Sequence, residues 1–265
     1  MCMVYNYTRQ GYNKHKIILE RDAARNREIV RLVKEFRIEQ DTTGYRMIIP
    51  MLESTNDSSL KISRDKLLDL LRENALLQKP PKRFVKTTNW KHRLKIYPNL
   101  LPEIDVTAKD QVWVTDITYI SVGMGFKYLF LVTDLYSRKI VGYYLADTLE
   151  AEGAVKAFKN AKKGTKLPKG IILHSDHGVQ YCSKMYIDLL KKNHARVSMT
   201  GANHCYDNAV AERVNRTLKH DLGMILKFPN REVAVQATKE AIQIYNHKRY
   251  HSSLDYKTPG SVYAS

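Results

Sequence analysis

Residues 111–134 read QVWVTDITYISVGMGFKYLFLVTD, and this stretch decides the fold. Its first part, Gln111–Ile120, alternates apolar and polar residues over much of its length and is rich in β-branched and aromatic side chains, which indicates a strand. A turn with two glycines at residues 123–125 leads into a second apolar run that ends at Asp134, as in a β-hairpin. A further strand is predicted at Lys139–Leu145. The pattern therefore favours three consecutive antiparallel strands.

Beyond the third strand, helical and strand patterns alternate. Apolar residues recur at helical period over Glu150–Lys163, and the short apolar run Gly170–Gly178 is typical of a buried strand. A helix near residues 183–192, a strand at 195–199, a helix capped by Asp207 or Asn208 and a helix at 231–246 complete the order. This order predicts an α/β fold, with a mixed sheet flanked by helices and preceded by a small helical N-terminal domain.

Three of these elements each carry an acidic residue. Asp116 lies within the first strand, and Asp176 lies at the carboxyl end of the Gly170–Gly178 strand, where ligands of α/β sheets gather. Glu212 follows on a helix, and 35 residues separate it from Asp176. One face of that helix carries Glu212, Asn215, Arg216 and Lys219, and the opposite side carries the apolar residues Val210, Val214 and Leu218. A glutamate on such a face is usually a solvated charge, so Glu212 gains significance only beside the two strand aspartates.

Several short sequence motifs contain or surround these acids, and they follow one another along the chain. They are WVTDITY at 113–119, DLYSRKIVG at 134–142, HSDHGVQY at 174–181 and YDNAVAE at 206–212, followed by Leu218-Lys219 and a series from Tyr245 to Pro259. Together they resemble the DDE transposase and retroviral integrase superfamily, and within it the second-frame proteins (OrfB) of two-frame bacterial insertion sequences. The resemblance covers most of residues 105–263. One departure is that Arg213 and Val214 follow the glutamate, where many relatives have an aromatic residue.

The resemblance implies a ribonuclease H-like integrase catalytic core at residues 105–265, in which Asp116, Asp176 and Glu212 are catalytic residues and metal ligands. Converging carboxylates repel one another unless cations lie between them, and Mg²⁺ prefers oxygen ligands. Two Mg²⁺ ions, for which Mn²⁺ can substitute, suit an in-line phosphodiester displacement. The implied enzyme is a polynucleotidyl transferase that nicks transposon DNA at its 3′ ends with water and then transfers the strand with a DNA 3′-OH. Candidate DNA contacts near the acids are Lys219, which matches a basic position of the family, and Asn208, Arg213 and Arg216.

The formal net charge of +17 predicts a polyanionic partner, most simply DNA. A basic membrane-surface protein is the alternative on charge alone, but no lipidation motif, amphipathic anchor or long apolar run supports it. The N-terminal residues lack the apolar core of a signal peptide. Three scattered cysteines, Cys2, Cys182 and Cys205, favour a reducing compartment. We therefore expect a bacterial cytoplasmic, nucleoid-associated protein.

The remaining segments supply further DNA-binding candidates. Residues 1–78 predict short basic helices, one capped by Thr8, one at Arg21–Glu39 and one capped by Ser63, which form either a helix-turn-helix-like unit or a helical accessory bundle. Residues 79–104 predict a basic linker in which aromatic residues are interleaved with cations, as suits contact with phosphates and bases. The linker candidates are Lys82, Arg83, Lys86, Lys91 and Arg93, and the C-terminal candidates are Lys248 and Arg249.

Other functions remain open at this stage. The histidines and cysteines His174, His177, Cys182, His204 and Cys205 lack the paired spacing of a zinc site. A catalytically silent DNA-binding regulator of transposition and a nuclease acting on RNA–DNA hybrids share the same fold. We expect at least a dimer on DNA, because transposition holds two ends together. The resemblance also implies an upstream-frame protein as a partner, since the chain has no sustained heptad zipper.

Overall fold

The computed structural model describes residues 8–40, 43–78, 94–201 and 208–265. The chain divides into two compact units, Met1–Pro80 and Pro81–Ser265. Within the described residues, no helix combines the length and the apolar character needed to cross a bilayer.

The first unit consists of helices around a small apolar core. Helix α1 spans Arg9–Glu39, α2 spans Tyr45–Glu53 and α3 spans Arg64–Glu73. The hydroxyl oxygens of Thr8 and Ser63 accept hydrogen bonds from backbone N–H groups of α1 and α3, as predicted for N-caps. The prediction of two separate helices before residue 40 is wrong, because no stop signal interrupts residues 16–20 and the chain continues as one helix of 31 residues. The core residues include Ile29, Val33, Ile48, Leu52, Leu67 and Leu71.

The second unit is built on a five-stranded mixed sheet. Its strands are β1 Val112–Val122, β2 Gly125–Asp134, β3 Ile140–Ala146, β4 Ile172–Ser175 and β5 Arg196–Met199. The strand order is β3-β2-β1-β4-β5. The first three strands are antiparallel, as the hairpin pattern predicts, whereas β4 is parallel to both β1 and β5.

Helices cover both faces of this sheet. On one face, α4 Ala151–Lys163, α5 Val179–Cys182 and α6 Lys184–Lys192 pack over side chains such as Trp113 and Phe130. On the other face, α7 Ala209–His220 and α8 Arg231–His247 cover Ile120 and Leu131. The last six residues of β2 are all buried, because successive side chains point to opposite faces of the sheet and each face is covered by an apolar core. The C-terminal helix α9 spans Pro259–Ala264.

Small residues let α4 lie close to the sheet. A Cβ atom at Gly153 would lie 2.1 Å from the ring of Phe130, and one at Gly142 would lie 2.5 Å from Ala161. Both distances are shorter than real side chains allow, so this packing requires glycine. The tight contact fixes the sheet that carries the acids.

The observed architecture confirms the predicted α/β fold class, a ribonuclease H-like mixed sheet with helices preceding it. The described end of the predicted linker, residues 94–104, belongs to the second unit. The backbone N–H of Met199 donates to the carbonyl oxygen of Pro98, and the backbone N–H of Leu100 donates to Ser198 Oγ at 2.9 Å. Residues 98–100 are therefore attached to β5.

Candidate active site

The two predicted aspartates lie on adjacent parallel strands. Asp116 lies within β1, and Asp176 follows the last residue of β4. The strand register pairs Val114 with His174. Extending this register by two residues brings Asp116 level with Asp176, so the pairing of β1 with β4 accounts for their proximity.

Helix α7 brings Glu212 to the same place. The apolar side chains Val214 and Leu218 are buried against the sheet, as predicted, and turn the other side of the helix towards Asp116. Asn215 Nδ2 donates a hydrogen bond of 2.6 Å to Asp116 Oδ2. Glu212 precedes Asn215 by three residues, about one helical turn. The helix is therefore anchored to β1 by an amide–carboxylate contact next to the predicted third acid.

The electrostatics of Asp116 reflect this convergence. Burial, followed by the negative charge of Asp176 and then that of Glu212, raises the pKa of Asp116 from 3.8 to about 7. The backbone N–H of Ile117, which donates to Asp116 Oδ1 at 2.9 Å, and the amide of Asn215 oppose this rise. Asp116 is thus held in a fixed orientation while its ionised form is disfavoured.

The three acids are close enough to interact electrostatically, yet their side chains are not positioned to coordinate one metal ion together. Across residues 8–40, 43–78, 94–201 and 208–265, no three histidine, cysteine, aspartate or glutamate side chains are arranged as a ready metal site. Glu212 is exposed, whereas Asp116 and Asp176 are half-buried. The arrangement therefore combines two half-buried carboxylates, within β1 and directly after β4, with one exposed carboxylate on a helix.

The loop after β4 orients Asp176. The backbone N–H of Gly178 donates to Asp176 Oδ1 at 3.0 Å. A Cβ atom at Gly178 would also lie 3.0 Å from that oxygen, so a larger residue would push against the carboxylate. The thiol of Cys182 lies nearby, and burial followed by the charge of Asp176 raises its pKa to about 11. Cys182 is therefore a protonated neighbour of the site rather than a nucleophile.

Two further side chains of the site were not predicted as functional. Asn215 was recognised only as a member of the helix face, and its contact with Asp116 spans 99 positions of sequence. Tyr181 is fully buried, and burial, then Asp116, Tyr186 and Asp176, raise the pKa of its hydroxyl well above its ordinary value. The word HSDHGVQY contains this tyrosine, but nothing in its spacing indicates that the hydroxyl lies within electrostatic range of both aspartates.

The predicted DNA contacts on α7 differ in exposure. Arg213 and Arg216 are exposed, and Lys219 is half-buried. Burial lowers the pKa of Lys219, and the charge of Asp116 opposes this effect, which places the ammonium group within range of the acids. Asn208 occupies the N-cap position, but its side chain makes no capping hydrogen bond, so that part of the prediction is wrong. Its Oδ1 is buried and has no hydrogen-bond partner among the described residues.

The remaining candidates lie elsewhere. Lys82, Arg83, Lys86, Lys91 and Arg93 lie outside the described residues, as do Asp207, His204 and Cys205. Lys248 is exposed. Arg249 forms an ion pair of 2.6 Å with Asp221, and only 13% of its side chain is exposed, so a DNA contact through it stays a prediction that competes with this pair.

The zinc candidates in the described part of the chain have hydrogen-bond partners. His174 Nδ1 lies 2.8 Å from Ser198 Oγ, and His177 Nε2 lies 2.6 Å from the carbonyl oxygen of Thr200. These contacts join the loop after β4 to β5 and the residue that follows it. They give both histidines a structural role beside Asp176.

Comparisons with known proteins identify the family of this chain. A family model described as "Integrase core domain" matches residues 106–205, and a second model with the same description matches residues 193–259. The "Insertion element IS600 uncharacterized 31 kDa protein" of Shigella sonnei is 33% identical over 267 residues, which cover 98% of this chain and 96% of that protein. The similarity therefore includes the N-terminal helices as well as the sheet.

Two other relatives are named as transposases. The "Transposase for insertion sequence element IS904" of Lactococcus lactis is 38% identical over 61% of this chain and 65% of its own length. The "Transposase InsF for insertion sequence IS3A" of Escherichia coli is 34% identical over 69% of this chain and 64% of its own length.

Solved structures of retroviral integrases are more distant. The HTLV-2 integrase catalytic core domain in complex with magnesium, in its trimeric form, is 15% identical, with a TM-score of 0.44 over 59% of this chain and 97% of that one. A chain of the simian T-cell lymphotropic virus intasome in complex with PP2A regulatory subunit B56 gamma is 14% identical, with a TM-score of 0.48 over 84% of this chain and 71% of that one. Because these identities and TM-scores are low, the assignment of this chain to a family rests on the sequence relatives alone. The chain belongs to the integrase-core transposases of bacterial insertion sequences.

Proposed function

We propose that Asp116, Asp176 and Glu212 are the catalytic acids with which this transposase nicks transposon DNA at its 3′ ends and transfers the cut strands to target DNA. The observation that carries the proposal is the convergence of the acids: the β1–β4 register brings Asp116 level with Asp176, and Asn215, about one turn from Glu212, donates to Asp116 Oδ2 at 2.6 Å. The pKa of Asp116, which burial and then the charges of both other acids raise, agrees with this. Structural ion pairs usually match opposite charges, whereas here three like charges face one another. Such a cluster is typical of a site that receives a cation.

The donor set fits magnesium. Three carboxylates offer only oxygen atoms, which hard divalent cations prefer, and the partial exposure of the acids leaves them accessible to substrate. We propose that Asp116, Asp176 and Glu212 would together hold two Mg²⁺ ions, for which Mn²⁺ would substitute. When bound, such ions neutralise the acids and activate oxygen nucleophiles and leaving groups in phosphodiester displacement.

The protein's own residues orient this chemistry. The N–H of Ile117 and the amide of Asn215 hold one oxygen each of Asp116, and Gly178 holds one oxygen of Asp176. Fixed carboxylates reduce the reorganisation needed when the attacking oxygen, from water or from a DNA 3′-OH, lines up with the scissile phosphate. Lys219 lies near Asp116 and provides a cation for a neighbouring DNA phosphate.

The wider proposal concerns partners. We propose that transposon ends and target DNA bind through Asn208, Arg213, Arg216 and Lys248, together with the basic segment that contains residues 82–93. The helical unit at residues 1–78 would assist DNA binding, either as a helix-turn-helix-like module or as an accessory bundle. A dimer or larger assembly would hold two ends, with the upstream-frame protein as a further partner, on the bacterial nucleoid in the cytoplasm.

The proposal is tested by a strand-transfer assay with the DNA that flanks the coding region. Asp116→Asn, Asp176→Asn and Glu212→Gln are each expected to abolish Mg²⁺-dependent nicking and joining, while circular dichroism shows a folded protein. Glu232→Gln, on the exposed side of α8, is the matched control and should retain activity. Wild-type levels of joining in any of the three acid variants would overturn the assignment.

The same assay separates the alternative functions. A silent DNA-binding regulator would bind the ends without any Mg²⁺-dependent turnover. A nuclease specific for hybrids would hydrolyse an RNA–DNA duplex without joining a 3′-OH to target DNA. The proposal requires joined product that depends on all three acids.

A further inference from the structure

Two arginines and a neutral histidine lie together near the carboxyl end of α8. Arg138 lies in the turn that follows β2, and Arg249 and His251 follow α8. The rings of Tyr245 and His251 are 4.9 Å apart. After burial, the charges of Arg249 and Arg138 both lower the pKa of His251, which falls to about 3. The side chain of Asn246 holds the backbone of Ile140 through two hydrogen bonds of 2.9 and 3.0 Å, which places the turn of Arg138 beside the end of α8. The same two guanidinium groups also act on Tyr245, so Arg138, Arg249 and His251 converge, and we refer to them as the basic cluster.

Several polar atoms of the basic cluster have no partner among the described residues. Arg138 Nη1, Arg249 Nε, Arg249 Nη1 and His251 Nε2 are buried and have no hydrogen-bond partner among the residues that the structure describes. Leaving one buried donor unsatisfied costs about 1–3 kcal/mol, and more for a charged group. Several such groups at one place call for an explanation, and a bound ion or ligand that supplies acceptors is one of them.

The nearby acids do not supply them. Asp134 attracts Arg138, but its two carboxylate oxygens already accept hydrogen bonds from the backbone N–H of Asp110 and from the N–H and hydroxyl of Ser137. Asp221 pairs with Arg249 through Nη2 alone, at 2.6 Å. That pair is not sealed, since 13% of the Arg249 side chain and 24% of the Asp221 side chain are exposed. An incoming anion can therefore compete with Asp221.

We propose that the basic cluster of Arg138, Arg249 and His251 is a subsite for one backbone phosphate of DNA, which replaces Asp221 as the partner of Arg249. Guanidinium groups bind phosphate through paired N–H bonds, and a phosphate offers more acceptor oxygens than the single carboxylate oxygen now in contact. The choice of DNA as the source rests on the proposed function and on the net charge of +17.

The subsite is remote from the acids along the sheet but is joined to them by α7. The turn that carries Arg138 follows Asp134, which pairs with Trp113 near the start of β1, whereas Asp116 pairs with Leu131. Asp221 is the C-cap of α7, and Glu212 lies in the first turn of the same helix. A phosphate that displaces Asp221 therefore acts on the far end of the helix that carries the third acid.

The test measures binding of the full chain to a fluorescein-labelled duplex of the element's end, by anisotropy in EDTA across a series of KCl concentrations. Arg138→Gln should bind more weakly and should lower the slope of log K against log salt by about 0.9, the value for one lost phosphate contact. Lys192→Gln, an exposed position on α6 that loses the same charge, is the control and should leave the slope unchanged. Arg138→Lys keeps the charge but loses the paired N–H donors, so it should retain the slope and still bind more weakly.

The second part of the test predicts tighter DNA binding, which partial unfolding of a variant would not produce. Asp221→Asn removes the competing carboxylate and should bind DNA several-fold more tightly than Asp188→Asn, an exposed control of equal charge. The proposal is overturned if Arg138→Gln and Lys192→Gln give equal slopes, or if Asp221→Asn binds no more tightly than Asp188→Asn. Because EDTA prevents chemistry, these outcomes are independent of whether the three acids catalyse strand transfer.

Discussion

Replacing Asp116, one of the three proposed catalytic acids, should stabilise this protein when no metal is present. In the wild type, burial and the charges of Asp176 and Glu212 oppose ionisation of Asp116. Asp116→Asn keeps the size of the side chain and an oxygen that can accept from the N–H of Ile117, and its new amide can donate to Oδ1 of Asn215 once the Asn215 amide turns over, but it removes the charge. The variant is therefore expected to lose activity and to gain stability at the same time.

The size of the gain follows from the pKa of Asp116. It rises from 3.8 in the unfolded chain to about 7 in the folded protein. A shift of about three units at about 1.36 kcal/mol each gives an upper limit of about 4 kcal/mol. Because Asp116 keeps some exposed surface, solvent screening reduces this value, and we expect about 1–3 kcal/mol above pH 7.

The effect of Asp116 ionisation on the free energy of unfolding depends on pH. Below pH 4 both folded and unfolded chains carry a protonated Asp116, so its ionisation costs no stability. Between about pH 4 and pH 7 the unfolded chain releases this proton while the folded protein retains it, and wild-type stability falls as pH rises. Above the folded pKa of about 7 the loss is complete and constant. The advantage of Asp116→Asn should grow across this window.

Urea unfolding in EDTA at several pH values measures the effect. The fluorescence of Trp113, which is fully buried in the sheet, reports on the unit that contains the acids. Asp188→Asn on exposed α6 is the control and should show no pH-dependent gain. A variant Asp116→Asn that is less stable than wild type at pH 8, or a difference that does not change between pH 5 and pH 8, would refute the reasoning.

Three further predictions use the same structure. Mg²⁺ should raise the Tm of the wild type by several degrees but not that of Asp116→Asn, because bound ions remove the repulsion; equal shifts in a thermal melt would contradict this. Asn215→Ala should raise the pKa of Asp116 above 7 in an NMR titration, because it removes a hydrogen bond to the charged form, and should slow strand transfer roughly tenfold. Gly153→Ala should destabilise the protein by about 1–3 kcal/mol in urea, because its new Cβ would meet Phe130, whereas Gly125→Ala, with open space around it, should change stability little.

Much of the second unit could be predicted because its local patterns agree with its packing. The apolar run of β2 is buried on both faces. The glycines at 123 and 125 predicted a turn between β1 and β2, and the structure confirms this hairpin. The apolar stripe of α7 indicated which side faces the sheet, and hence which side presents Glu212. These features depend on side-chain periodicity, which sequence displays directly.

Other features depend on contacts between distant residues and could not be predicted. The hydrogen bond from Asn215 to Asp116 requires α7 to lie against β1, and no local pattern fixes that position. Helix α2 contains Pro50, which sequence rules treat as a helix breaker, yet burial of Ile48 and Leu52 maintains it. The ion pair of Arg249 with Asp221 is likewise visible only in the folded chain, whereas the sequence shows only the charge of Arg249.

The central claim is most directly tested by locating Mn²⁺ in crystals of the protein with DNA from its element. Anomalous scattering identifies the ion independently of any assumption about activity. We expect anomalous density in contact with the carboxylates of Asp116, Asp176 and Glu212 together. Density at another site, or well-ordered crystals in which these three carboxylates stay apart with no ion between them, would contradict the account.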